Sequence, residues 1–448
     1  MRLQQYLILI AAFVVAPSAV AAPTAIVNVN VVPMTAEIVL EQQTVVVDDG
    51  VIVVLGSVDE VPIPKDATVI DGTDRFLMPG LAEMHAHVPG ANSPDLDRYF
   101  SLYVANGVTT IRGMLGQPSH LALRKQLLDG RVFGPRLVTS GPSLNGRSVA
   151  GVAQARQLVR DQHAAGYDFI KIHPGLTADE FIAIGETANE LGMPFAGHVP
   201  VAAGIERALQ LNMATIDHLD GYFVALLRAD SDGLGGYGGF FDVMLANELE
   251  VEKIPEVARA TAAAGTWNVP TEVLIEARVG VTSVAELRNR PGVQYMPRAT
   301  VERWVAAKEA LLAERDFDPE IAALAIEIRR QLILELHKAG ARLLLGSDSP
   351  QVFNVPGYSI HEELDTLVAS GLTPYEALRT GTVAVAEFLP GNAGVVAVGR
   401  DAELVLLDAN PLDDIRNARR IHGVVLKGTW HSADSLGKRL SSYQSSDD

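Results

Sequence analysis

The chain has 448 residues, 48% of them hydrophobic, no cysteine and a net charge of −18. That length leaves room for one large domain and a smaller one, and the missing cysteines exclude a disulfide framework. So acidic a chain is a poor match for nucleic acid, whose phosphates demand clustered Lys and Arg, and suits a small-molecule substrate better.

Residues 1–21 read as a cleavable signal peptide. Arg2 supplies the positive start, residues 6–15 the short apolar stretch, and Ala19-Val20-Ala21 the small residues of a cleavage site. The apolar run falls short of the roughly 20 residues a spanning helix needs. The expectation is export to a periplasm or beyond, with no membrane in the mature form. Losing Arg2 moves the charge from −18 to −19.

Strand-like runs follow at 25–32, 44–55 around the turn Asp48-Asp49-Gly50, and 67–71, and the same texture returns at 395–398, 403–407 and 423–427. Asp-Gly turns between β-branched runs predict antiparallel hairpins. The two β-rich ends, 22–75 and 391–436, are expected to form one small β-sandwich domain, and 437–448 a disordered tail. Between them, 76–390 alternates strand and helix. Strands are expected at 77–84, 108–113, 136–140, 169–173, 194–198, 214–218, 266–271 and 342–347, with helices at 153–165, 178–191 and 202–211. Eight strands interleaved with helices predict an α/β fold, a (β/α)8 TIM barrel. The stretch 230–336 is longer than a barrel needs, and its Gly-rich start predicts a cover over the barrel mouth.

Several of these strands end in residues able to bind metal. His85 and His87 are two apart, so a strand projects both imidazoles from one face. Lys171 lies in the apolar run Ile170-Lys171-Ile172, where a charged amine is seldom buried without a partner. Burial favours the neutral amine, which can add carbon dioxide to give an anionic carbamate; pairing with a nearby carboxylate is the alternative. His198 and His218 are one strand–helix unit apart, and Asp348 follows Leu343-Leu344-Leu345. Imidazole and carboxylate together suit zinc, with manganese, iron, cobalt and nickel as alternatives. In a parallel barrel, groups at the C-terminal strand ends meet at one rim.

The ordered set resembles the amidohydrolase superfamily, in its imidazolonepropionase-like branch, across nearly the whole mature chain. The resemblance is carried by Met78-Pro79-Gly80-Leu81, His85-Ala86-His87, Gly107-Val108-Thr109-Thr110 with Arg112, Ile170-Lys171-Ile172, the two later histidines and Gly346-Ser347-Asp348. The tail adds Gly371-Leu372-Thr373-Pro374, Val398-Gly399-Arg400-Asp401-Ala402 and Asn410-Pro411-Leu412. It implies that His85, His87 and Asp348 hold one divalent metal and His198 and His218 a second, with Lys171, carboxylated by CO2, bridging the pair. It further implies a bridging hydroxide as nucleophile, Asp348 as general base and acid, and possible assembly as a homo-oligomer. Two positions depart from the family pattern: Glu83 stands where Asp is usual before the first histidine, and Gly113 where Asp usually follows Arg112. Neither is a ligand.

Three further residues are candidate substrate contacts. Arg147 is suited to pair with a carboxylate, Tyr222 follows His218 by four in an expected rim loop, and His173 shares the Lys171 face. Each has an ordinary solvated or lining role as its alternative. His361 is expected to be structural. The function these features imply is hydrolysis of an amide bond in a small molecule, a dipeptide or an N-acyl amino acid. A cyclic amide or lactone on the same metals is the alternative, and metal binding without turnover sits poorly with a complete ligand set that includes Asp348.

Overall fold

The computed structural model describes residues 22–231, 233 and 238–444. The expected signal peptide therefore lies outside the described residues. The two chain ends pair in one eight-stranded sheet. Its order is Thr429–Ser432, Ile421–Leu426, Leu404–Leu407, Phe76–Pro79, Thr24–Val31, Leu40–Asp48 and Val51–Ser57, with Thr68–Asp71 also beside Thr24–Val31. The alternation of apolar residues gives this sheet its own core, including Ile26, Val45, Val47, Leu77, Leu404, Leu406 and Val425.

One strand expected over 77–84 is two. Phe76–Pro79 joins the end sheet, with Leu404 opposite Pro79, while Leu81–Ala86 pairs parallel to Val108–Gly113. The break falls where the partners change, the Gly80 N–H donating to Glu403 O and the Leu81 N–H to Gly107 O. Position 80 has no room for a side chain, since a Cβ there would lie 2.4 Å from Thr109 Oγ1. The run 395–398 is not a strand, and Thr429–Ser432, not expected, is one.

The middle of the chain is α/β. Leu81–Ala86, Val108–Gly113 and Arg136–Thr139 form one parallel sheet, and Ile170–Ile172, Phe195–Gly197, Thr215–Asp217 and Trp267–Val269 another. Parallel bridges Ser140 to Phe169, Asn268 to Leu343 and Ala86 to Ser349 connect their edges. The 342–347 segment is not a regular strand, yet the Met84 N–H donates to Leu345 O at 2.8 Å and the Leu344 N–H to Asn268 O at 2.8 Å. It is bonded on both sides.

Local chemistry explains the helices. Ala178–Glu190 starts with a capping box, in which the Thr177 hydroxyl accepts from Glu180 N–H while the Glu180 carboxylate accepts from Thr177 N–H. Pro319–Lys338 begins at Asp318, which caps two backbone N–H groups, and turns Ala322, Ala325, Ile328, Arg329, Leu332, Ile333 and Leu336 inward at helical spacing. Burying each large apolar member of such a face contributes about 1.5–3 kcal/mol. The expected disordered tail needs correction: Ala433–Ser441 is a helix capped by Ser432, with Leu436 and Leu440 buried one turn apart. Residues 445–448 are outside the described part. Among the described residues, no helix is long and apolar enough to cross a membrane.

Candidate metal centre

The six candidate ligands come from five segments and converge. His85 lies in Leu81–Ala86 and His87 just past it. The ligand atoms of His85, His87 and Asp348 all lie within 4.8 Å of one another. His87 Nε2 is 3.0 Å from Asp348 Oδ1, His85 Nε2 is 3.6 Å from the same oxygen, and His218 Nδ1 is 3.8 Å from Asp348 Oδ2. The His85 and His218 rings are 4.5 Å apart at their centroids, and those of His198 and His218 4.7 Å.

Backbone conformation aims these side chains. His218 and Asp348 sit at φ 63 and 60, and Thr271 at φ 49, in the left-handed region that costs a non-glycine residue about 1–3 kcal/mol. Strain of that size persists only where surrounding structure fixes it. Lys171 needs a different device. Gly197, paired with Ile172 on the next strand, leaves room for it: a Cβ there would meet Lys171 Cδ at 2.8 Å and Nζ at 2.9 Å.

The surroundings of Lys171, His85, His218 and His173 all disfavour the charged form. Lys171 is completely buried, and its Nζ has no hydrogen-bond partner. Burial pulls its pKa down, against the opposing pull of Asp217 and Asp348. His85 and His218 are held well below the usual histidine range, chiefly by burial, then by neighbouring Lys171 for His85 and by His85 itself for His218. His173 is lowered to about 2, again by burial and then by Lys171. Neutral imidazoles and a neutral amine are the protonation states that metal binding and carbamate formation require.

The residues around the ligands orient them. His198 Nδ1 lies 2.6 Å from Asp220 Oδ2, and His218 Nδ1 lies 2.8 Å from Thr271 Oγ1, which leaves each Nε2 free. His85 Nδ1 lies 2.7 Å from Asp217 Oδ2, within ion-pair range but without hydrogen-bond alignment. Asp217 in turn meets buried Arg112, whose Nη2 is 3.3 Å away and whose Nε donates to Met84 O at 2.6 Å. Glu83, the first departure from the family pattern, accepts from the N–H of His85 at 2.8 Å and of Ser347 at 2.9 Å, tying the segments of His85 and Asp348 together. Burial pushes its pKa up to about 8, although the Ser347 hydrogen bonds oppose that shift. At Gly113, the second departure, the nearest neighbours of a Cβ would be Val88, Leu137 and Thr139 at 3.4–3.6 Å, ordinary contact distances.

The donor set fits divalent cations. Asp348 Oδ1, His85 Nε2 and Lys171 Nζ are buried without hydrogen-bond partners, a costly arrangement for polar atoms unless a ligand completes it. His87 completes the group with His85 and Asp348, and His218 and His198 stand beside it with nitrogen donors, a combination that suits zinc or a related metal.

The weaker candidates divide. His173 stacks on His198 with ring centroids 5.0 Å apart. It lines an open cleft with Ser143, Asn145 and exposed Arg147. Tyr222 does not face the site: it is fully buried, and its hydroxyl donates to Asn268 Oδ1 at 2.7 Å and meets Thr261 Oγ1 at 3.0 Å. Gly221, at φ 80, turns the chain inward before it. Tyr222 is a core residue, and the expectation of a substrate contact is withdrawn. His361 is buried, with Nε2 3.0 Å from Asn106 O, a packing role.

Sequence reading missed Asp217, Asp220, Thr271 and Phe241. Asp217 carried a signal, a charge in the apolar run Thr215-Ile216-Asp217 beside His218. Phe241 carried none. Its ring lies 4.8 Å from that of His218 and 5.8 Å from that of His198, brought there by the long segment after residue 230.

Residues 76–431 match the amidohydrolase family. Ochratoxinase from Aspergillus niger is 23% identical over 415 residues, which span 84% of this chain and 79% of that protein. A structure described as a putative prolidase from Bifidobacterium longum superposes with a TM-score of 0.67 at 24% identity, covering 95% of this chain and 100% of that one. Bottromycin amidohydrolase superposes with a TM-score of 0.71 at 23% identity, covering 94% and 90%. At these identities the structural likeness is one of fold.

Proposed function

The chain belongs to the amidohydrolase family, and from that membership we propose that it is a metal-dependent hydrolase cleaving the amide bond of a dipeptide or N-acyl amino acid. The observation carrying this reading is the cluster of His85, His87 and Asp348, joined through the neighbouring rings of His218 and His198, with Lys171 Nζ and Asp348 Oδ1 buried without hydrogen-bond partners. Family relatives named for prolidase and ochratoxinase activity support the choice of an amide. The parallel segments and their edge bridges support reading the middle of the chain as a (β/α)8 barrel, and the two chain ends form one eight-stranded sheet beside it where a β-sandwich was expected.

His85, His87 and Asp348 would hold one divalent ion and His198 and His218 a second. Lys171 would join them after its neutral amine adds carbon dioxide, forming one N–C bond and releasing one proton. Bound ions of this kind supply Lewis acidity, acidifying water and polarising a carbonyl. Asp348 takes the proton from the attacking water and passes it to the leaving nitrogen, its Oδ1 held 3.0 Å from His87 Nε2. Asp220 and Thr271 keep the His198 and His218 imidazoles oriented throughout, and Asp217 stands in ion-pair range of His85. Arg147, exposed in the cleft beside His173, receives the substrate carboxylate. The Arg2-led apolar start further supports export of the mature chain.

A panel of dipeptides and N-acyl amino acids, each paired with its C-terminally amidated form, tests the reading. Chelator-sensitive cleavage that falls on amidation is expected. Cyclic amides and lactones complete the panel, and cleavage confined to them would overturn the linear amide.

A further inference from the structure

Two clefts of opposite character adjoin the stacked pair His198 and His173, one lined by each ring. The one beside Arg147 is open and polar, lined by Ser143, Asn145 and His173. The other, about 870 Å³ in volume, lies on the far side of Pro174 and Gly175, which line both. Its walls are Leu176, Val199, Val201, Val224, Phe240 and Phe241. Leu176 and Val199 are buried, Val201 is exposed at the rim, and the two phenylalanines are half-buried. Apolar walls that reach a catalytic centre point to an apolar ligand.

The Phe241 ring is the part of that wall nearest the metal-binding residues. It stacks on His198, with an interplanar angle of 11° and 5.8 Å between centroids, and lies 4.8 Å from His218. Its backbone is held in an unfavourable state: Phe241 and Asp242 both adopt left-handed conformations, at φ 53 and φ 60. Two consecutive non-glycine residues there cost about 1–3 kcal/mol each, so the surroundings must fix them. The fixing contacts are visible. Phe240 packs edge-on against Phe241 at 4.6 Å and under the Arg278 guanidinium at 4.5 Å, and the Met244 N–H donates to Gly238 O at 2.9 Å. Val243, Met244, Leu245 and Ala246 are buried just beyond.

The charges on the two sides also differ. Asp220 and Asp242 are on the wall of the Phe241 cleft, whereas Arg147 stands on the other side. An anionic end is repelled from the first and attracted to the second.

We propose that Phe241 is a specificity-determining residue, forming with Phe240, Val199 and Val201 a subsite for a large apolar or aromatic acyl group on the carbonyl side of the scissile amide. This deepens the amide-hydrolase reading and rests on it for the direction in which the substrate lies. The leaving amino acid, with its carboxylate, occupies the Arg147 cleft, so the substrate class is an N-aroyl- or N-arylalkanoyl-type amino acid, or a dipeptide with an aromatic first residue.

The test is calorimetric binding of phenylacetate and acetate to the metal-loaded enzyme, in wild type, Phe241→Ala and Val201→Asn. Val201 is exposed, so its substitution leaves packing alone and guards against a Phe241 variant that misfolds. Wild type should prefer phenylacetate by roughly tenfold to a hundredfold, the scale of burying one aromatic ring. Phe241→Ala should lose most of that preference and Val201→Asn part of it. Equal affinity for the two acids in wild type, or an undiminished preference in both variants, would overturn the subsite. Hydrolysis of N-phenylacetyl and N-acetyl amino acids, run in parallel, separates the two claims. Hydrolysis without acyl preference sinks the subsite and leaves the amide reading. Phenylacetate preference without hydrolysis of any amide does the reverse.

Discussion

Two buried charged clusters lie on opposite sides of His218 and behave differently. In one, Arg329 from the helix Pro319–Lys338 donates to Glu272 Oε2 at 2.8 Å, His218 O at 3.0 Å and Pro270 O at 3.3 Å. Beside it Glu363 accepts from the backbone N–H of Glu272 and Val273 at 3.0 and 2.7 Å. In the other, Lys171 Nζ and Asp348 Oδ1 are buried with no hydrogen-bond partner. Arg329 and Lys171 are both at most 1% exposed, so burial does not separate them. Completeness does. The Arg329 guanidinium and the Glu363 carboxylate find their partners within the protein, although Glu272 Oε1 makes no hydrogen bond, whereas the Lys171 amine makes none at all.

That contrast can be broken from either side. The largest effect is expected at Asp348. Asp348→Asn should cut turnover by roughly 10²–10⁴-fold, the usual contribution of a positioned general acid–base, while most metal stays bound. Steady-state rates with metal analysis of the same sample check this, and wild-type rates in the variant would remove Asp348 from the chemistry.

Next comes Arg329→Met, which leaves Glu272 buried without its cation. The expected loss is about 3–5 kcal/mol of stability, read from urea unfolding of metal-free protein. An unchanged midpoint would mean that the cluster is not the scaffold described here.

A smaller change is expected from Thr271→Val, which removes the partner of His218 Nδ1. Metal affinity or activity should fall by roughly 10–100-fold, with little change in the unfolding of the metal-free protein.

Smallest is Lys171→Met in metal-free protein. Removing a buried amine without a hydrogen-bond partner should stabilise the fold by about 1–3 kcal/mol, opposite in sign to Arg329→Met. Equal destabilisation by both variants would erase the distinction between the clusters.

How much of this was legible in the sequence follows from what each residue depends on. His85, His87, Lys171, His198, His218 and Asp348 announce themselves because each follows an apolar strand-like run, and strand ends in a parallel fold share one rim. Arg329 does not. It stands beside Arg330 in Ile328-Arg329-Arg330-Gln331, and only the packing of the helix decides which is buried. Arg329 meets Glu272 inside, while Arg330, about a third exposed, pairs with Glu276. Tyr222 failed for a related reason, since four residues after His218 does not say which way Gly221 turns the chain. The strand expected over 77–84 is divided by partners distant in sequence, since the Gly80 N–H donates to Glu403 O and the Leu81 N–H to Gly107 O. The tail helix was hidden by a polar composition in which Leu436 and Leu440 are the one apolar pair that packs. Phe241 could not be foreseen, because its position depends on two left-handed residues in a Gly-rich stretch without periodicity.

The most direct test of the central claim is native mass spectrometry of the purified protein beside elemental analysis of its metals, for wild type and Lys171→Met. The account predicts two divalent ions per chain and the added mass of one carbon dioxide in wild type, with that mass absent and metal reduced in the variant. Full metal content in Lys171→Met, with no added carbon dioxide in either protein, would contradict it.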